Sequence, residues 1–118
     1  MISSLSEWAA VVHRNAVDKG WWPAESGEST EKPNIPERLC LMHSEISEAL
    51  EEYRIGDDMK TVRYDVNGKP EGFVVELADV LIRVLDLAGH LGMDVDKVMM
   101  EKHMYNKNRP YRHGNKRA

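Results

Sequence analysis

The chain has 118 residues, within the usual range of a single domain. Apolar residues make up 42% and charged residues 31%, a globular balance that a disordered chain does not have. A formal net charge of −4 argues against nucleic-acid binding driven by overall charge, and no apolar run approaches the roughly 18 residues of a membrane span. The N-terminal residues lack the basic stretch and long apolar segment of a secretion signal, so a cytoplasmic protein is expected. Cys40 is the single cysteine. It excludes an internal disulfide and is expected to be a buried thiol.

The first helix is expected from Ser4, because Ser4-x-x-Glu7 has the spacing of a capping box. Leu5, Trp8, Ala9, Val12 and Ala16 recur at helical spacing, and Gly20 ends the run. Trp21 to Lys32 reads as a loop rich in Gly, Ser, Pro and charge. Asn34-Ile35-Pro36-Glu37 opens a second helix, with Asn34 as the cap and Pro36 in the first turn. Ile35, Leu39, Met42, Ile46, Leu50 and Tyr53 form its apolar stripe, and Gly56 stops it. From Asp57 to Pro70 the pattern breaks, and Asn67-Gly68 suggests a tight turn in a short two-stranded excursion.

The third helix, from about Glu71 to Leu91, is the most apolar segment. At about 100° per residue its polar groups fall on one narrow seam of Glu76, Asp79, Arg83, Asp86 and His90. A helix so apolar elsewhere must be packed on most sides, which predicts a helix-mediated dimer. Gly92 closes it, Asp94 caps the next helix, and that fourth helix runs from about Val95 until Pro110 forbids its continuation. The expected fold is all-α, an antiparallel four-helix bundle in one domain over residues 1–118. Residues 106–118 form its basic end, and the acid-free stretch from Lys107 to Arg117 is expected to be a short disordered tail, with a nucleic-acid contact as the alternative.

Glu45 and Glu48 lie three apart on the second helix, and Glu76 and Asp79 three apart on the third. Each pair therefore occupies one face, a turn apart. A lone E-x-x-E pair says little, since such pairs are common on solvated faces. Asp79 says more, because its helix has few polar positions. Two such helices side by side would gather four carboxylates, an oxygen-rich set suited to Mg²⁺ or Mn²⁺. Acids clustered at a helix seam are costly unless something positive neutralises them. Lys102, Asn106 and Arg109 then follow at steps of four and three. They suit a grip on phosphate oxygens, or else form an ordinary basic helix end favoured by the dipole.

In that order, Glu45-x-x-Glu48, Glu76-x-x-Asp79 and Lys102-x-x-x-Asn106-x-x-Arg109 resemble the MazG-like all-α nucleoside triphosphate pyrophosphatase superfamily. The likeness runs from the first helix to Arg112-His113-Gly114. It implies mostly antiparallel helices assembled as a homodimer or a dimer of dimers. It implies hydrolysis of a nucleoside triphosphate, usually a deoxynucleotide, to the monophosphate and pyrophosphate. Mg²⁺ is the implied metal, with Mn²⁺ as a substitute. Under the resemblance Glu45, Glu48, Glu76 and Asp79 are the catalytic metal ligands, and Lys102, Asn106 and Arg109 bind the phosphates. His13 and Trp22 look like the His and Trp with which the dCTP-preferring branch contacts the base. Arg83 stands where that branch has an aromatic residue, so the base is left open. Without the resemblance, Trp21 and Trp22 read equally as a hydrophobic plug over the bundle end. The alternatives are a phosphoribosyl-ATP pyrophosphatase-like enzyme and a non-catalytic helical dimer that binds nucleotide.

Overall fold

Side-chain caps set the starts of three of the four long helices. In this computed structural model, which describes residues 1–118, α1 spans Leu5–Asp18 and Ser4 Oγ accepts from the Glu7 amide at 3.1 Å. Glu7 answers by accepting from the Ser3 amide at 2.9 Å, one residue outside the usual reciprocal partner. The segment expected to be a loop contains one helical turn, α2 (Pro23–Ser26), opened by Pro23 and closed by Gly27. α3 (Ile35–Arg54) begins where Asn34 Oδ1 accepts from the Glu37 amide at 3.1 Å.

The excursion after α3 is a two-stranded antiparallel hairpin, β1 (Arg63–Tyr64) against β2 (Pro70–Glu71), with Arg63 opposite Glu71. Asp65 Oδ1 holds the turn by accepting from the Asn67 and Lys69 amides at 2.7 and 2.9 Å. Because Glu71 is paired in β2, α4 (Phe73–Leu91) starts two residues later than its apolar pattern suggests. Gly72 makes the corner at φ +124°, where a Cβ would lie 3.1 Å from the Thr61 carbonyl oxygen. Asp57 accepts from the Phe73 amide at 3.0 Å and pairs with Arg63, which also reaches Glu52 at 3.2 Å. The hairpin is thereby clamped to the end of α3 and the start of α4.

α5 (Val95–Lys107) is capped by Asp94, and a final turn with left-handed backbone angles, α6 (Arg112–Asn115), follows Pro110 within the stretch expected to be a disordered tail. α4 lies between α1 and α3, while α5 leans on α1. Asp96 ties α5 to α1 by accepting from the Leu5 and Ser6 amides at 3.1 and 3.0 Å. Ala9, Leu85, Ala88 and Val95 form the core, with Leu5 and Val12 against it. Gly89 sets how closely α1 and α4 approach, since a Cβ there would sit 2.6 Å from His13 Cβ and 2.7 Å from the Ala9 carbonyl oxygen.

The chain is mostly helical, and no helix is long and apolar enough to cross a membrane. Only eight of 118 residues are buried. The surface of 9318 Å² far exceeds the roughly 6500 Å² expected of a compact monomer this size. Likewise, the radius of gyration is 17.2 Å where about 13–14 Å is usual. The polarity of α4 explains part of this. Its polar seam is turned toward its neighbours, whereas Leu77, Leu81 and Val84 on the apolar side stand open. Cys40, expected to be buried, is instead exposed on α3, because the stripe it flanks has no neighbour there.

Candidate functional site

α3 and α4 run side by side, so their two acid pairs meet along one seam. Glu45 is buried beside Ala49. Carboxylate oxygens of Glu45, Glu76 and Asp79 lie within 4.8 Å of one another. Glu48, a turn beyond Glu45 and exposed, lies beside Glu76, and its charge helps to raise the Glu76 carboxyl. The Oε2 of Glu76 is buried and has no hydrogen-bond partner.

These four residues line an open cleft of about 440 Å³, with Glu52, Lys69 and Glu71 at its rim. Glu52 continues the α3 series one turn further, a spacing visible in the sequence but not singled out there. Lys69 and Glu71 are brought by the hairpin, and nothing in the residue pattern announces them. Arg83 Nε donates to Glu45 Oε1 at 2.8 Å. With Glu52 paired to Arg63, the other five acids face only two cations, Lys69 and Arg83.

The imbalance shifts proton affinities. Burial, the close approach of Glu48 and the charges of Glu48, Asp79 and Glu45 push the Glu76 carboxyl from its ordinary 4.5 up to about 7. Burial and the Glu45 charge also raise Asp79, against the opposing pull of Arg83 and Lys69. A site that holds protons on its acids near neutral pH is short of positive charge. Its donors are all oxygen, which suits a hard divalent cation.

The other predicted residues lie elsewhere. Trp22 is 1% exposed, and its indole N–H donates to both oxygens of Asp86, at 2.9 and 3.1 Å. His90 stacks on its ring at 4.3 Å between centroids, and the Arg38 guanidinium carbon lies 3.3 Å from the ring centroid. Two groups that close cannot share one face, so both faces of Trp22 are taken. A base could stack on it only if Arg38 or His90 withdrew. Trp21, by contrast, is exposed beside a smaller cleft of about 280 Å³. His13 sits against Trp22 edge-on, its Nδ1 2.8 Å from Asp86 Oδ1. Burial alone would lower its pKa, but the Glu25 and Asp86 carboxylates outweigh burial and raise it. Asp86 and His90 belong to the polar seam read from the sequence; Glu25 and Arg38 had no such signal.

Lys102, Asn106 and Arg109 stay on α5 and its end, where Lys102 and Arg109 lie over Tyr105 at 5.0 and 5.7 Å. None of the three lines the acidic cleft. No protein-family model, curated protein or solved structure matches this chain.

Proposed function

We propose that this protein is a divalent-cation-dependent nucleotide pyrophosphohydrolase of the MazG-like all-α type, working as a homodimer on a nucleoside triphosphate. The observation that carries the proposal is the convergence of Glu45, Glu48, Glu76 and Asp79 at one seam, with too little positive charge beside them and a buried Glu76 oxygen lacking any partner. Glu45, Glu76 and Asp79 would hold Mg²⁺, or Mn²⁺ in its place. When bound, the ion supplies the charge that lets a polyphosphate approach an acidic cleft and eases deprotonation of water.

The chain's own groups do the rest. Glu48, the exposed member, is the general base in this scheme and takes a proton from the water that attacks the α phosphorus. Arg83 aims Glu45 into the seam through its 2.8 Å hydrogen bond. The clamped hairpin presents Lys69 at the rim, where an ammonium can meet phosphate oxygens.

Dimerisation supports the same scheme. The excess surface and the open apolar side of α4 favour a second copy that completes the helical bundle. α5 also exposes Met99, Met100, Met104 and Tyr105, a face for a neighbouring copy. In the dimer, Lys102, Asn106 and Arg109 of one chain would serve the cleft of the other, since they do not serve their own.

Pyrophosphate and monophosphate release from a panel of canonical and damaged nucleotides with Mg²⁺ tests the activity. Glu48→Gln and Asp79→Asn should each abolish turnover while leaving the helical circular-dichroism signal unchanged. Full turnover by either variant would discredit the assignment.

A further inference from the structure

Away from the acidic cleft, two histidines converge on one carboxylate. His13 Nε2 lies 2.9 Å from Glu25 Oε1, and His90 Nδ1 lies 2.9 Å from Glu25 Oε2. Each of the three offers a ligand atom within 4.8 Å of the others. They come from α1, α2 and α4, so helical periodicity does not explain their meeting.

Each ring is also held in place by its neighbours. Asp86 faces His13 Nδ1 at 2.8 Å and is itself held by the Trp22 indole N–H. A carboxylate there makes Nδ1 the protonated nitrogen and turns Nε2 toward Glu25. In the metal-free ring the Glu25 carboxylate favours a proton on Nε2 as well, and a metal ion held between Nε2 and Glu25 would take that proton's place. His90 is fixed by stacking on Trp22, whose other face is covered by Arg38. A histidine that gives one ring N–H to a carboxylate and turns its other nitrogen to a metal is the usual outer-shell arrangement of zinc sites.

We propose that His13, Glu25 and His90 form a transition-metal site of the Zn²⁺ class, distinct from the acidic cleft. Two imidazole nitrogens and one carboxylate suit Zn²⁺ or Co²⁺, whereas Mg²⁺ prefers an all-oxygen set. Glu25 is about one-third exposed, at 35% of its side chain, so an ion has a path in from solvent. Binding fastens α2 and the segment that follows it onto α1 and α4.

The test is a Zn²⁺ titration of the chelator-stripped full-length chain by calorimetry, with Co²⁺ absorption as a spectroscopic readout. It is repeated in a Glu76→Gln/Asp79→Asn double variant, so that the acidic cleft cannot answer for this site. One equivalent of Zn²⁺ should bind in the double variant, and in both proteins excess Mg²⁺ should leave that equivalent bound. His13→Ala, His90→Ala and Glu25→Gln should each weaken it at least tenfold and remove the Co²⁺ bands. Glu25→Gln keeps the side-chain shape on an exposed turn, so its result does not hinge on the core. Absence of Zn²⁺ binding in the double variant would overturn the proposal. So would binding that survives Glu25→Gln and His90→Ala unweakened, or Co²⁺ spectra without nitrogen ligation. None of these readouts needs nucleotide hydrolysis, so the zinc proposal stands or falls apart from the pyrophosphohydrolase one.

Discussion

Replacing Glu76 with Gln should stabilise the metal-free protein at alkaline pH and destabilise it, relative to wild type, once Mg²⁺ is present. Folding raises the Glu76 carboxyl from 4.5 to about 7, so the fold prefers its protonated form. The stability this contributes is complete below the unfolded value of 4.5 and is lost as pH rises through about 7. At about 1.4 kcal/mol per pH unit, the difference between 4.5 and about 7 corresponds to about 3 kcal/mol. Solvent in the open cleft screens it, leaving roughly 1–2 kcal/mol lost by wild type between about pH 4 and pH 8. Gln carries no charge at either pH, and its amide can donate to a neighbouring carboxylate. Urea melts at both pH values, without metal, should show the variant gaining on wild type by that amount. With Mg²⁺ at about 100 times its Kd, wild type gains about 2.7 kcal/mol. The variant, missing one ligand, gains less, so the order reverses. A Gln variant whose stability relative to wild type is the same at both pH values, or an equal Mg²⁺ gain in both proteins, would refute the reasoning.

Other consequences can be checked separately. Lys102→Ala should mainly raise KM for the nucleotide, and steady-state kinetics with both KM and kcat unaltered would count against its phosphate contact. Gly89→Ala places a Cβ 2.7 Å from the Ala9 carbonyl oxygen; overpacking of about 1–3 kcal/mol outweighs the gain of about 1 kcal/mol in helix propensity. A lower denaturation midpoint for this variant is therefore expected, and an unchanged or higher one would show that α1 and α4 separate freely. Leu81, 62% exposed on the open side of α4, should when changed to Glu alter monomer stability by less than about 0.5 kcal/mol. The same change should lower the molar mass measured by light scattering, and an unaltered mass would remove this face from the dimer contact.

Caps and breakers were legible because they act within one turn of chain. Ser4, Asn34 and Asp94 each accept from the amide three residues on, as their spacing in the sequence required. The polar seam of α4 was legible as a pattern, but its destination was not. Glu76 and Asp79 meet α3, while Asp86 and His90 meet Trp22, His13 and Glu25 through contacts that span up to 73 positions. Pairings of that range depend on which helices become neighbours, and no local propensity encodes them. Trp22 shows the difference most plainly. Its neighbour Trp21 has the same chemistry and ends exposed, whereas Trp22 is enclosed by Asp86, His90 and Arg38.

From the chain of residues alone came the helical class, the four long helices, the hairpin turn and the acids destined for one seam. Each follows from short-range periodicity, capping or turn chemistry. Only the tertiary structure decided that α4 turns its polar seam inward and leaves its apolar side open, and that Lys69 and Glu71 join the cleft while Lys102 does not. Those outcomes rest on how α1 and α3 pack against α4 and on the Asp57–Arg63–Glu52 clamp that aims the hairpin. Side-chain contacts between distant segments carry that information, and they exist only once the helices have docked.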